Sequence, residues 1–316
     1  MTQLQQHIIT TPYMVGPVHC YSGRFAGELV LFDTGPPTVS AREYLRDHIA
    51  LDELQHVLIT HCHIDHFGQA RWLEQNSSAI IYLPERDSRI IGHHDNRVKA
   101  LREVLSGFGF GKDYLDNLQK VFDERKLLPT LPQKFKVAEK ELPQRLGIDV
   151  LPCPGHSQSD LVYIGSDWAV TGDTLLKGVF QSPVLDVDPE TGARYRNYEA
   201  YCATVVKLSG LKGKTVFTAH RRPVTDIDDT LFFYISKLLR RVKALHPYRE
   251  EDNLQLLIDK LLKGRLQDTM QIYLKASEII FMKDFLNQPE LLRESLEQTG
   301  LFSVVSELFN SAVTSC

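Results

Sequence analysis

The apolar residues of this chain follow two kinds of pattern, and the change between them divides the sequence. Up to about residue 225, short apolar runs alternate with turn residues and with stretches of helical spacing. Glu28-Leu-Val-Leu-Phe32, His56-Val-Leu-Ile-Thr60, Ala79-Ile-Ile-Tyr-Leu83, Leu161-Val-Tyr-Ile164, Trp168-Ala-Val-Thr171 and Thr215-Val-Phe-Thr218 are too short for helices and end in polar punctuation, which predicts buried strands. Residues 41–54 and 198–211 have helical spacing without internal proline. Strands and helices in alternation predict an α/β layered domain over residues 1–225.

Two segments break that rhythm. Residues 85–130 read as helices around Gly107-Phe-Gly-Phe-Gly111, an insertion between strands. Its glycines permit backbone mobility and Phe108 and Phe110 are candidate contacts to an apolar ligand, so a cap over a site is one reading and a plain interhelical turn the other. From residue 226 onward strand signals nearly vanish. Leu231–Tyr234, Leu254–Leu262 and Gln271–Leu286 have apolar faces at helical spacing, which predicts a helical C-terminal subdomain over residues 226–316.

Composition narrows the partners. With 316 residues and a formal net charge of -4, the chain can bury a large core and carries no global bias toward nucleic acid or an anionic membrane. The basic run Lys237-Leu-Leu-Arg-Arg-Val-Lys243 could contact phosphates, but its helical spacing suits a solvated face equally well, so nucleic acid is not the expected partner. The five cysteines, Cys20, Cys62, Cys153, Cys202 and Cys316, form no paired framework, which fits a reducing compartment. No run approaches the length needed to span a bilayer and no leader pattern opens the chain, so a cytoplasmic location is expected.

The densest chemistry lies in Thr60-His61-Cys62-His63-Ile64-Asp65-His66-Phe67-Gly68. Neutral imidazole and carboxylate suit zinc and similar divalent ions. In an extended start His61 and His63 share a side while Cys62 points away, so one metal can take that pair. Once the chain turns into a helix, Asp65 and His66 can approach a second position. Further ligands are expected just beyond strands, where His156 follows Asp149-Val-Leu-Pro152, Asp173 follows Trp168-Ala-Val-Thr171 and His220 follows Thr215-Val-Phe-Thr218.

In this order, H-x-H-x-D-H, G-H, G-D and a final histidine resemble the metallo-β-lactamase superfamily over about the first 225 residues. Phe32-Asp33-Thr34-Gly35 also resembles its early D-T-G turn, with Asp33 a supporting or structural residue. The resemblance implies an αββα sandwich with two divalent metal ions at its edge, zinc first and iron or manganese as alternatives. It implies His61, His63 and His156 on one metal, Asp65, His66 and His220 on the other, and Asp173 between them. The last histidine departs from the usual G-H-G, standing in Ala219-His220-Arg221-Arg222, which makes Arg221 a candidate for a substrate carboxylate or phosphate.

Such a site implies a two-metal hydrolase, in which a metal-bridging hydroxide attacks an electrophilic carbon or phosphorus while Asp65 orients it or relays a proton. The helical insertion and tail look like the glyoxalase II-like and hydroxyacyl-thioester hydrolase groups, which favours an acyl thioester or ester, a small and anionic molecule, with Tyr195 a further candidate in the pocket. Lactone hydrolysis uses the same carbonyl attack. A phosphodiesterase or endoribonuclease, and a regulatory protein that keeps the metal fold for binding, are the other readings. The sequence leaves the oligomeric state open.

Overall fold

The computed structural model describes residues 4–123, 130–180, 182–263, 265 and 268–314, so Cys316 and the 124–129 end of the expected insertion lie outside the described residues. The chain opens with β1 (Gln5–Ile9), β2 (Val18–Phe25) and β3 (Glu28–Phe32), an antiparallel meander. It continues through α1 (Val39–His48), β4 (Leu54–Leu58), the short α2 (Ile64–Phe67), α3 (Ala70–Asn76) and β5 (Ile80–Leu83). Three helices follow, α4 (Glu85–Gly92), α5 (His94–Gly107) and α6 (Lys112–Asp123), before β6 (Phe135–Val137) completes a sheet of order β1-β2-β3-β4-β5-β6. After α7 (Ala138–Glu141), the strands β7 (Asp149–Pro152), β8 (Leu161–Ile164), β9 (Trp168–Gly172) and β10 (Thr215–Thr218) form a second sheet of order β10-β9-β8-β7, with α8 (Asn197–Ser209) between its last two strands. The rest is helical: α9 (Ile227–Leu245), α10 (Leu254–Leu262), α11 (Thr269–Asn287), α12 (Pro289–Thr299) and α13 (Phe302–Val313).

Period-2 alternation sorts the strand residues into layers. Leu29, Leu31, Val57 and Ile81 face a core shared with Leu45 of α1 and Leu73 of α3. Their neighbours Val30, Phe32, Leu58 and Tyr82 face the other way, into a core between the sheets that also holds Leu161, Tyr163, Trp168 and Val170. On the second sheet Val162, Ala169 and Val216 turn outward to α8 and the C-terminal helices. Helix, sheet, sheet, helix is the expected αββα sandwich. Within that second helical layer the insertion and the tail do not pack apart: Leu105, Leu118, Val205, Leu238, Ile280 and Phe309 belong to one buried cluster.

Some boundaries differ from the sequence reading. The strand expected at residues 56–60 runs over Leu54–Leu58, and the helix expected at 41–54 ends at His48 because Leu54 already pairs with Leu29 in the sheet. β1, β2 and β6 were not anticipated, since His7, His19, Ser22 and Lys136 interrupt their apolar patterns. Cys20, Cys62, Cys153 and Cys202 are buried free thiols. Among the described residues no helix is long and apolar enough to cross a membrane.

One of those interrupting residues makes stability depend on pH. His7 is fully buried, with Nε2 bonded to Ser22 Oγ at 2.8 Å, and burial, helped by the nearby His48, lowers its pKa to about 4. A histidine depressed in the folded state takes up its proton more readily when unfolded. Its contribution is therefore complete above the unfolded pKa of about 6.5 and lost as pH falls toward 4. Thermal melts of the wild type are expected to lose on the order of 2 kcal/mol across that window, a loss that His7→Gln should flatten; equal slopes in both proteins would refute it.

Candidate metal centre

The candidate ligands lie just past strand ends of both sheets, on one rim of the sandwich. β4 delivers His61 and His63, α2 delivers Asp65 and His66, and the turns after β7, β9 and β10 deliver His156, Asp173 and His220. Gly172, at φ +52, makes the last approach possible: a Cβ there would sit 2.5 Å from Thr60 Oγ1. Three groups result, His61 with His63 and His156, His61 with His66 and Asp173, and Asp65 with His66 and His220, the ligand atoms of each lying within 4.8 Å of one another.

In the first group, His63 Nδ1 lies 3.0 Å from both His61 Nε2 and His156 Nε2. Such a spacing is near the edge of a tetrahedron around a cation with bonds of about 2.0 Å, roughly 3.3 Å. Around the other position, His220 Nε2 lies 3.4 Å from Asp65 Oδ2, and Asp173 Oδ1 lies 3.6 Å from His66 Nε2 and 3.5 Å from His220 Nε2. The other Asp173 oxygen, Oδ2, is 3.7 Å from His156 Nε2, so this carboxylate spans the two groups.

The rings are aimed from behind. Asp33, in the left-handed region at φ +57, accepts from Thr60 N and Thr60 Oγ1 and from His66 Nδ1, each at 2.8 Å. A carboxylate can only accept here, so His66 carries its proton on Nδ1 and turns the Nε2 lone pair inward. His156 Nδ1 donates to Ser182 O at 2.6 Å and His220 Nδ1 to Pro17 O at 2.7 Å, with the same effect. His66 Nε2, His220 Nε2 and Asp173 Oδ1 are buried with no hydrogen-bond partner, atoms that a cation would satisfy together.

The electrostatics agree with that fit. Burial, together with neighbouring imidazoles, holds His61 well below its ordinary pKa and lowers His63 to about 3, the neutral form a metal needs. Burial alone would lower His66, but Asp65, Asp173 and Asp33 outweigh it and raise His66 well above its ordinary value, a concentration of negative charge that a cation would offset in place of the proton on Nε2. The residues present therefore suit two divalent cations.

Above the cluster lies a cavity of about 360 Å³ with a largely apolar wall. Ile90 and Ile91 of α4, Phe122 of α6 and Met270 and Leu274 of α11 line it beside His63, Asp65 and His156, so the insertion and the tail both cover the site. The substrate-contact candidates Phe108, Phe110, Tyr195 and Arg221 are not among the described lining residues of this cavity. Phe110 is buried against Tyr114, and Phe108 lines a separate surface cleft with Arg194 and Lys283, because Gly109 abuts Asn253 and turns this loop toward α10. Tyr195 lies outside the cavity lining and packs under the Arg86 guanidinium, 5.2 Å from the ring centre. Arg221 is exposed, at φ +69, in a turn that doubles back to bridge Val224 to Val216.

Residues the sequence did not flag complete the wall. Asp87 of α4 accepts from Cys62 N at 2.5 Å and from Ser159 Oγ at 2.7 Å, tying the two ligand-bearing loops together. No motif marks it; its place four residues after a strand is the only signal. Asp87→Ala would leave both donors unpaired and is expected to weaken metal affinity by about 10–100-fold, measured by competition with a chromogenic chelator; unchanged affinity would remove Asp87 from this role. Tyr13, Arg97 and Asp186 also line the cavity.

Comparison with known proteins agrees with this geometry. The family model described as "Metallo-beta-lactamase superfamily" matches residues 14–220, a span that includes every candidate ligand. A probable metallo-hydrolase of Bacillus subtilis (strain 168), YqjP, is 25% identical over 250 residues, covering 69% of this chain and 72% of that protein. Among solved structures, a metallo-β-lactamase family protein from Thermus thermophilus has a TM-score of 0.65 at 21% identity, covering 91% of this chain and 94% of that one. A β-lactamase domain protein from Burkholderia ambifaria has a TM-score of 0.70 at 16% identity, covering 90% and 86%. Ligand geometry, layered fold and family match converge, and the chain belongs to the metallo-β-lactamase superfamily.

Proposed function

We propose that this protein is a two-metal hydrolase of small acyl esters or thioesters, with zinc as the first choice of cation and iron or manganese compatible with the same donors. The observation that carries the reading is the apolar cavity directly over the ligand cluster, which suits an acyl group and has Arg97 as its one lysine or arginine among the described lining residues. A polyanionic nucleic acid would call for a basic wall. The Lys237–Lys243 run does not supply one: Arg241 pairs with Glu278 at 2.7 Å and Lys243 with Ser311 at 2.8 Å, and neither lines the cavity.

His61, His63 and His156 would hold one cation and Asp65, His66 and His220 the other, with Asp173 shared. When bound, such cations make water acidic enough to supply a nucleophile at neutral pH and polarise a substrate carbonyl. Asp65, which lines the cavity, orients the attacking water and takes its proton; Ile90, Ile91 and Phe122 exclude bulk solvent from the acyl side. Lactones fit the same site because their ring opening is the same carbonyl attack. Four buried free thiols support a reducing, cytoplasmic setting.

Metal analysis of the purified protein, followed by an ester, thioester, lactone and phosphodiester panel, tests the reading. Two divalent ions per chain and turnover of acyl substrates are expected, with loss of activity on chelation and recovery on adding metal back. Turnover confined to phosphodiesters, or a stable protein partner with no hydrolysis, would overturn it.

A further inference from the structure

The polar groups of the cavity wall are nearly all engaged. Tyr273 Oη donates to Leu185 O, Gln158 Nε2 donates to Asp186 Oδ2 at 2.9 Å, and both Asp87 oxygens accept. Arg97 of α5 is the exception among charged donors. Its Nε donates to Asp186 Oδ1 at 2.7 Å, an oxygen that also accepts from Val187 N at 2.8 Å, while Asp186 Oδ2 accepts from Gln158 Nε2 at 2.9 Å. The two terminal amino groups of Arg97 have no acceptor among the described residues, although the side chain is only 11% exposed and lies in the cavity wall. A guanidinium so placed is held flat by Asp186 and by the Phe122 ring, 5.7 Å away, with its remaining N–H fork open to whatever enters.

We infer that Arg97 binds a carboxylate borne by the acyl part of the substrate, so that the preferred substrates are ω-carboxyacyl thioesters or esters rather than simple fatty acyl ones; this rests on the hydrolase reading above. The fork of two amino groups matches a carboxylate in a bidentate manner, and Arg97 is the one lysine or arginine among the described lining residues. Arg97 thereby sets specificity, and the charge falls on the insertion instead of on the Arg221 turn.

The test pairs a length series of ω-carboxyacyl thioesters with methyl-terminated thioesters of equal length, and pairs the corresponding diacids with monoacids in calorimetry on the metal-loaded protein. For the best length, KM for the ω-carboxyacyl substrate is expected to lie about tenfold or more below that of its methyl-terminated twin. Arg97→Gln is expected to raise that KM, and the diacid Kd, by about 10–100-fold and to bring the ratio toward one. Arg97→Lys keeps a cation beside Asp186 while losing the fork, so it should fold and still lose most of the preference. A wild type that prefers methyl-terminated chains at every length, or a preference that survives in both variants, overturns the inference. If no ester or thioester is turned over, the hydrolase reading fails by itself, while Arg97-dependent diacid binding would still uphold this assignment; absence of that binding as well would end both.

Discussion

The protein carrying His61→Ala and His63→Ala together is expected to hold at most one metal ion per chain and to lose hydrolysis by about a thousandfold or more, since each 1.36 kcal/mol of lost transition-state stabilisation is a factor of ten and the metals are assigned several. These side chains supply two of the three imidazole nitrogens that meet at 3.0 Å spacing, leaving His156 alone at that position. Asp65, His66, His220 and Asp173 keep their places, so a single remaining ion is the natural result. Elemental analysis beside a turnover assay gives the answer, with near-ultraviolet circular dichroism to establish that the fold persists. Two metals retained in full would sink the ligand assignment.

The second large effect is on stability and comes from a residue with no chemistry. A Cβ placed on Gly68 would stand 2.3 Å from Pro37 N and 2.4 Å from Pro36 C, both backbone atoms. No side-chain rotation relieves that contact, so α2 and the turn after β3 must separate. Gly68→Ala is expected to cost about 3 kcal/mol or more and to lower Tm by roughly 5–10 °C. Because α2 carries Asp65 and His66, metal affinity should fall as well. Gly92→Ala is the control: nothing lies within 4 Å of its added methyl, and helix propensity makes it neutral or slightly stabilising. Equal melting temperatures for the two variants would refute the clash.

How far the sequence went follows from where each signal is stored. Strands at residues 28–32, 161–164 and 215–218 were legible because each is a short run dominated by apolar and β-branched residues, and the two-sheet layering follows from their alternation. The polar interruptions of β1 and β2 hid an entire sheet edge. The candidate ligands His61 through His66 are local in sequence and stand out there, and the rule that strand ends share a rim points to His156, Asp173 and His220, which the fold brings beside them. The cavity wall obeys no such rule. Phe108 and Phe110 attracted notice through the glycines around them, yet which face of a helix looks into a cavity depends on tertiary packing. Ile90, Arg97 and Met270 have no pattern of their own.

The single buried cluster that joins α5, α6, α8 and the C-terminal helices also bears on how such a protein diversifies. Tyr198 illustrates the interlock: it is fully buried on α8, and its hydroxyl both donates to Gln288 O and accepts from Leu292 N. Replacing the tail alone would break contacts with α8 and the insertion at once, so the segments that shape the cavity depend on one another for their packing. A change of specificity that leaves the fold intact is therefore expected from point substitution along the inner faces of α4, α5 and α11, whose Ile90, Arg97 and Met270 line the cavity.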